Sequence, residues 1–463
     1  MEQSTHPRRS TLPSATAPTA GAGHAQPVDD PAALITVTID KPAHGGVFVA
    51  RHAGRVVFVR GATPGETVVA RLLPESDASA RFWRAEAIEV IEPGPDRVPS
   101  VWPESGAGGV GGADFAHVQL EAQRRIKTEV VQELLARAGV STFPIEDVQV
   151  EPAADDHTGL GWRTRVRFAA SGGTVGMRGW RSHEIHPVGD NPLAHETIRA
   201  LGLESWSAPA AVSAIDAVAP SVGEAALIVR ASEELTLEQL ELPAAADEAS
   251  VLVVTERSVS VLRGSPTVTE VVGDEVFEVS AGGFWQVHTE APRLLSEAVM
   301  SAARPQPGEV AWDLYGGAGL FSRPLAIAVG PTGRLVSVEG SASASTDAAA
   351  NLAALPQATA VRSDVADFVA RPESVLRGVG SPACVVMDPP RAGVGEQTMA
   401  RLCRAVSRVM VYVSCEPSTL ARDLVVAEKN GWRVADLRAF DLFPHTHHVE
   451  CVVRLEPGDA PRV

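Results

Sequence analysis

The sequence predicts an α/β protein with a doubly wound sheet in its C-terminal half, a small β-barrel near its N-terminus and a mixed α+β segment between them. Three observations carry this reading. Short apolar runs at 310–314, 335–339, 384–388, 409–414 and 449–455 alternate with helical patterns, the arrangement of a parallel sheet covered on both faces. Residues 34–92 instead hold five β-rich runs (34–39, 46–50, 55–59, 67–73 and 82–91) broken by glycine turns, the spacing of a small barrel. After a glycine-rich stretch at 106–112, residues 118–138 have helical periodicity. Mixed signals, including strands at 163–169 and 251–254, then run to about 279. The chain divides on this basis into a disordered tail (1–32), a barrel (33–94), a central domain with its glycine-rich linker (95–280) and a sheet domain (281–463).

A length of 463 residues suits roughly two to four domains. Hydrophobic residues make up 45% of the chain, and no stretch reaches the ~18 apolar residues of a membrane span, so no membrane association is expected. The tail is rich in Ser, Thr, Pro, Ala and Gly without a continuous apolar core, which reads as disorder rather than a signal peptide. The four cysteines (384, 403, 415 and 451) form no CxxC pair. Neither a disulfide framework nor a metal site is expected, and a reducing cytoplasm is the simplest setting.

The net charge of −17 argues superficially against a nucleic-acid partner, but distribution outweighs the total. Lys41, Arg51, Arg55 and Arg60 follow one another with no acid between them, the pattern of a surface that contacts a phosphate backbone. Arg163, Arg165, Arg167, Arg178 and Arg181 repeat the pattern, while Ser232–Ala249 holds six acids and no base. Solvated charge runs would look the same.

Val385-Val386-Met387 ends on Asp388, and Val409-Met410-Val411-Tyr412-Val413 leads through Ser414 to Cys415. In open α/β sheets ligands bind outside the carboxyl ends of strands. A thiol and a carboxylate at two such ends read as nucleophile and cofactor-side group of one site; the alternative is that Cys415 is a buried small hydrophobe. Trp312-Asp313-Leu314-Tyr315-Gly316-Gly317-Ala318-Gly319 follows a strand and opens a helical pattern, so backbone can approach a ligand there. Glu339 ends the next run, where an acid can bind ribose hydroxyls. The turn lacks GxGxxG spacing, which favours S-adenosylmethionine over a dinucleotide. Asp364 is a plausible contact on the adenine side.

Together these segments resemble the 5-methyluridine RNA methyltransferases, which methylate C5 of uridine in tRNA and ribosomal RNA. The resemblance rests on a TRAM-like barrel (Gly45-Gly46-Val47-Phe48-Val49-Ala50-Arg51), Phe284-Trp285-Gln286-Val287, Asp313-Leu314-Tyr315-Gly316, Val338-Glu339-Gly340, Asp388-Pro389-Pro390-Arg391-Ala392-Gly393, Tyr412-Val413-Ser414-Cys415 and Phe443-Pro444-His445-Thr446, ending His448-Val449-Glu450. It implies a Rossmann-like class I methyltransferase domain behind an OB-like TRAM barrel that binds RNA. Gln286, Tyr315, Glu339, Asp364 and Asp388 would line the S-adenosylmethionine pocket, with Cys415 as nucleophile and Glu450 as base. The chemistry needs such a pair. C5 of uracil is a poor nucleophile, and thiolate attack on C6 makes an enolate whose C5 is electron-rich. A thiolate requires an electropositive neighbour, for which Arg391 is a candidate unless it serves a structural salt bridge. Because a stacked uracil is out of reach, the nucleotide must be flipped out.

Two departures stand out. Many relatives bind an iron–sulfur cluster through cysteines, but Glu104–Ala113 has none, and Asn191-Pro192-Leu193 stands where a Cys-Pro would be, so no cluster is expected. Glu416 replaces a common Asn and places a negative charge beside the nucleophile. That charge would raise the thiol pKa unless the side chain turns away or an Arg compensates it. The expected partner is RNA, 23S rRNA ahead of tRNA, acted on by a monomer. Two rivals are an amino-group methyltransferase of nucleic acid or protein, which would survive Cys415→Ala, and a catalytically silent RNA-binding assembly factor, which would bind RNA without methyl transfer.

Overall fold

The computed structural model describes residues 33–458 apart from 78, 154–156, 376 and 379; the tail expected at 1–32 lies outside the described residues. Five strands, Leu34–Ala43, Val47–His52, Arg55–Arg60, Thr67–Leu72 and Trp83–Glu92, close into a barrel. Their alternation explains the closure: Ile35, Val37, Ile39, Phe48, Ala50, Val57, Val59, Val68 and Ala70 point inward and are buried, while their neighbours face outward. Phe115, Val118, Ala122 and Ile126 join this core from the segment that follows, so the barrel is not a free module.

The central part forms a seven-stranded sheet in the order Val259–Arg263, Ser250–Val254, Ala226–Ala231, Val212–Val218, Arg165–Ser171, Thr174–Arg178, Ile185–His186. Two pieces of the stretch between the barrel and that sheet belong elsewhere. The helix Leu120–Ala138 packs on the helix Pro417–Lys429, and the strand Val150–Pro152 pairs with Trp432–Asp441 at the edge of the C-terminal sheet.

That C-terminal sheet has eight strands in the order Ala358–Arg362, Arg334–Glu339, Val310–Leu314, Cys384–Met387, Val409–Ser414, Glu450–Pro457, Trp432–Asp441, Val150–Pro152. Alternate residues serve two cores. Trp312, Val336, Val385, Met387, Met410 and Tyr412 pack under the helices Leu120–Ala138, Glu396–Ala405 and Pro417–Lys429. Ala311, Leu335, Val386, Val409, Val411 and Val413 pack under Ala291–Ala303 and Ser322–Val329. Burial on both faces is why these strands read as unbroken apolar runs rather than alternating ones. The strand order reverses between Val310–Leu314 and Cys384–Met387, which opens a crevice at their carboxyl ends. The last strand departs from the parallel sheet expected: Glu450–Pro457 runs antiparallel to Val409–Ser414, with Ser414 opposite Cys451. Among the described residues no helix is long and apolar enough to cross a membrane.

Candidate active site

A cleft of about 850 Å³ opens at the strand-order reversal. Its walls include Gln286, Tyr315, Glu339, Asp364, Asp388, Cys415 and Glu450, so the seven residues singled out from the sequence meet at one place. Each is held there by local structure. Tyr315 follows a strand with φ of +62°, a left-handed backbone rare for a tyrosine, and turns the chain into the glycine loop. Gly316 lies so close to the sheet that a Cβ would come 2.5 Å from Ser337 Oγ and 3.2 Å from Asp313 Oδ2. Glu339 accepts from the backbone N–H groups of Gly317 (3.0 Å) and Ser341 (2.7 Å), which fixes its carboxylate at the rim. Asp364 also caps the helix Val365–Ala370, accepting from Asp367 N at 3.1 Å, so one of its oxygens already has a structural duty.

The floor is acidic and buried. Gln286 Nε2 lies 3.4 Å from Asp388 Oδ2. Burial, then the charge of Asp313, push the Asp388 carboxyl up to about 7, against the hydrogen bond from Gln286. Asp313 beneath the turn is raised to about 7 by burial, and its Oδ1 has no hydrogen-bond partner among the described residues. Burial and Asp388 hold Glu450 well above the ordinary carboxylate range. Carboxylates crowded this way seek positive charge.

Cys415 is half-buried, whereas Cys384, Cys403 and Cys451 are buried and free. Burial, then Glu450 and Asp388, push its thiol up to about 12, opposed by Arg391. Arg391 meets no carboxylate among the described residues and instead donates from Nη2 to His448 Nε2, 3.2 Å away. Burial, with His447 and Arg391 adding to it, drives His448 down to about 3, so its ring is neutral and accepts that bond. His445 faces elsewhere: its ring nitrogens meet Gln123 Nε2 and Thr158 O, both at 3.0 Å. Glu416 turns away from the cleft and finds a histidine rather than the anticipated arginine, His44 Nε2 at 2.9 Å.

The sequence did not single out Phe284 at the mouth, an aromatic side chain left 66% exposed, or Arg163 in the wall as site residues. The local signal for Arg163 was its basic run; for Phe284 it was a place two residues before Gln286. The basic surface inferred on the barrel needs correction. Arg60 is 3% exposed and pairs with Glu86 at 3.0 Å, and Arg55 donates to the carbonyls of Asp77 and Ala80, while Lys41 stays exposed with Glu133 3.0 Å away. Arg51 is exposed.

The family model for tRNA (uracil-5-)-methyltransferase matches residues 374–457, and that for the TRAM domain matches 33–81. An uncharacterized RNA methyltransferase of Streptomyces coelicolor is 41% identical, covering 94% of this chain and 96% of its own. The 23S rRNA (uracil(1939)-C(5))-methyltransferase RlmD of Shewanella baltica is 29% identical over 92% of this chain and 96% of its own. Among solved structures, the tRNA (uracil-54, C5)-methyltransferase of Pyrococcus abyssi in complex with S-adenosyl-L-homocysteine shares the fold with a TM-score of 0.67. It is 20% identical and covers 90% of this chain and 100% of that one. The barrel, the class I sheet and these relatives agree: the chain belongs to the TRAM-domain-containing, S-adenosylmethionine-dependent RNA 5-methyluridine methyltransferases.

Proposed function

We propose that this enzyme methylates C5 of one uridine in RNA, ribosomal rather than transfer RNA, through a covalent bond between Cys415 and C6 of the uracil. The observation that carries the reading is one half-buried thiol in the same cleft wall as a buried carboxyl, Glu450, whose pKa burial and Asp388 raise. S-adenosylmethionine, when bound, supplies an electrophilic methyl group and two positive charges. The donor set suits it. The floor is acidic, Asp313 has an orphaned buried oxygen, and Gly316 is packed where a side chain would not fit. Asp388 and Gln286 would hold its charged end, and Glu339 and Asp364 its ribose and adenine side.

The chain's own residues then divide the work. The Cys415 thiolate adds to C6, which makes C5 nucleophilic, and Arg391 is placed to favour that thiolate. Glu450 must be ionised when it removes the C5 proton, after which the C6–sulfur bond breaks and Cys415 is regenerated. The extended RlmD likeness, which spans all three parts of the chain, supports ribosomal RNA. The deciding experiment incubates enzyme and radiolabelled S-adenosylmethionine with unmodified 23S rRNA and with tRNA transcripts. Methyl-5-uridine in the tRNA alone would overturn the rRNA assignment, and label on any other atom would overturn the uridine-C5 reading.

We further propose that no iron–sulfur cluster is bound. The residues present do not fit one, since Glu104–Ala113 and Asn191 offer no thiolate. A buried guanidinium serves that loop: Arg60 donates to Ser105 O (2.8 Å), Gly106 O (3.3 Å) and Val110 O (3.2 Å), and Glu86 accepts from Gly108 N (3.1 Å). Stoichiometric iron and sulfide in active protein would overturn this.

A further inference from the structure

The turn between the barrel strands Leu34–Ala43 and Val47–His52 reaches into the catalytic domain beside the nucleophile. His44 Nε2 lies 2.9 Å from Glu416 Oε1, and Glu416 directly follows Cys415 in the chain. Gly46 in the same turn has φ of +74°, and a Cβ there would come within 2.8 Å of Asp114 Cβ and 3.1 Å of His447 Nδ1. The turn is therefore seated without slack. Beyond His44, the Glu416 carboxylate accepts from Ser418 N (3.3 Å) and Ser418 Oγ (2.7 Å) at the start of the helix Pro417–Lys429. A cavity of about 20 Å³, the size of one water, lies at the seam and is walled by His44, Lys127, Cys415, Glu416, His447 and His448. Cys415 thus borders the reaction cleft on one side and the barrel seam on the other.

Burial works against the Glu416 charge, yet its bonds to His44 and Ser418 hold the carboxyl down at about 2. An ionised carboxylate only accepts, so the His44 nitrogen facing it is the donor. The leading influences on the Cys415 thiol are burial, Glu450 and Asp388, not the adjacent Glu416. A third carboxylate turned toward that sulfur would make its thiolate harder still to form.

We propose that His44 is a positioning residue for the chemistry: by anchoring Glu416 at the barrel seam it keeps that charge away from Cys415, so the barrel forms part of the nucleophile's environment. This rests on Cys415 being the nucleophile, but the barrel's share in it follows from the His44–Glu416 contact. At about 6 Å a released carboxylate would raise the thiol by about 0.5 to 2 pH units, according to how well water screens it. The other charged or titratable groups facing Cys415, namely Glu450, Asp388, Arg391, Lys127, His447, His448 and Cys451, are left unsubstituted in the test.

The test needs no RNA. Full-length wild type, His44→Ala, His44→Gln, Glu416→Gln and the His44→Ala/Glu416→Gln double variant are alkylated with iodoacetamide at a series of pH values. Modification of Cys415 is followed by peptide mass spectrometry, with circular dichroism as the folding check. His44→Ala should slow alkylation at a fixed pH by about 3- to 100-fold, the same displacement read as a rate. His44→Gln, which keeps a donor, should be affected less. The double variant should match Glu416→Gln. Unchanged alkylation in His44→Ala, or an equal slowing in the Glu416→Gln background, overturns the proposal; if His44→Ala fails to fold, His44→Gln against Glu416→Gln decides by the same rule. Because the readout is thiol reactivity, a protein that shows the shift but never methylates uridine would overturn the functional reading and leave this one standing.

Discussion

Ser414 lies opposite Cys451 at the last step of the antiparallel ladder between Val409–Ser414 and Glu450–Pro457, so Cys415 directly follows one member of that pair and Glu450 directly precedes the other. A uracil ring held between the two side chains would thus meet a nucleophile at C6 and a base near C5. The end of this strand pairing brings the proposed catalytic pair to one edge of the cleft.

Enzyme mixed with target RNA carrying 5-fluorouridine is expected to form an adduct that survives denaturation, because fluorine at C5 cannot be removed as a proton. Cys415→Ala should form none. Wild-type protein that methylates ordinary RNA yet never gives the adduct on denaturing gels would remove Cys415 as nucleophile.

Glu450→Gln should accumulate the methylated covalent complex on unmodified RNA, since loss of the C5 proton precedes release of the sulfur. The gel-shifted species should approach one per active site, and product release should fall by about 100-fold or more. Normal turnover by this variant would shift attention to His448, the neutral imidazole in the same cleft wall.

Asp388→Asn is expected to stabilise the ligand-free protein while weakening cofactor binding. The wild-type carboxyl is raised to about 7 by burial and by Asp313, so the folded state holds its proton more tightly than the unfolded chain does. Its cost to stability is therefore absent below an unfolded pKa of about 4 and grows as pH climbs toward 7. Thermal melts should show the variant ahead by on the order of a few kcal/mol at about pH 8, with the advantage gone near pH 4. A variant less stable than wild type at the higher pH would contradict this reading.

Two arginines of the barrel should separate cleanly. Arg60→Ala removes the buried partner of Glu86, leaving it Gly108 N and the more distant Arg71, and releases the Ser105–Val110 loop, so chemical denaturation should show a loss of about 3 kcal/mol. Arg51→Ala should leave stability alone and lower the salt slope of RNA binding by about 0.7 to 0.9. Equal behaviour of the two variants in both assays would refute the division.

Local signals in the chain were enough to read the barrel strands, the helix near 120–138, the sheet strands at 310–314 and 409–414, and the cleft residues at strand ends, Tyr315, Glu339, Asp388 and Cys415, whereas Gln286 and Glu450 came only with the family resemblance. The reason is physical. Strands buried on both faces must be apolar throughout, and a ligand-binding turn at a strand end needs glycine and a carboxylate within a few residues of it. These requirements act over short spans of chain and leave their mark there. The direction of Glu450–Pro457, the attachment of Val150–Pro152 to the far sheet edge, the burial of Arg60 and the turning of Glu416 toward His44 left no such mark. Each depends on which distant surface a segment meets, and a periodicity of two or of 3.6 residues is the same whichever partner is met. Residue types and their spacing therefore determined the fold class and the strand-end residues that line the cleft. Tertiary packing alone decided which charges are neutralised, which arginines stay exposed, and that the thiol and the carboxylate meet at the end of one pair of strands.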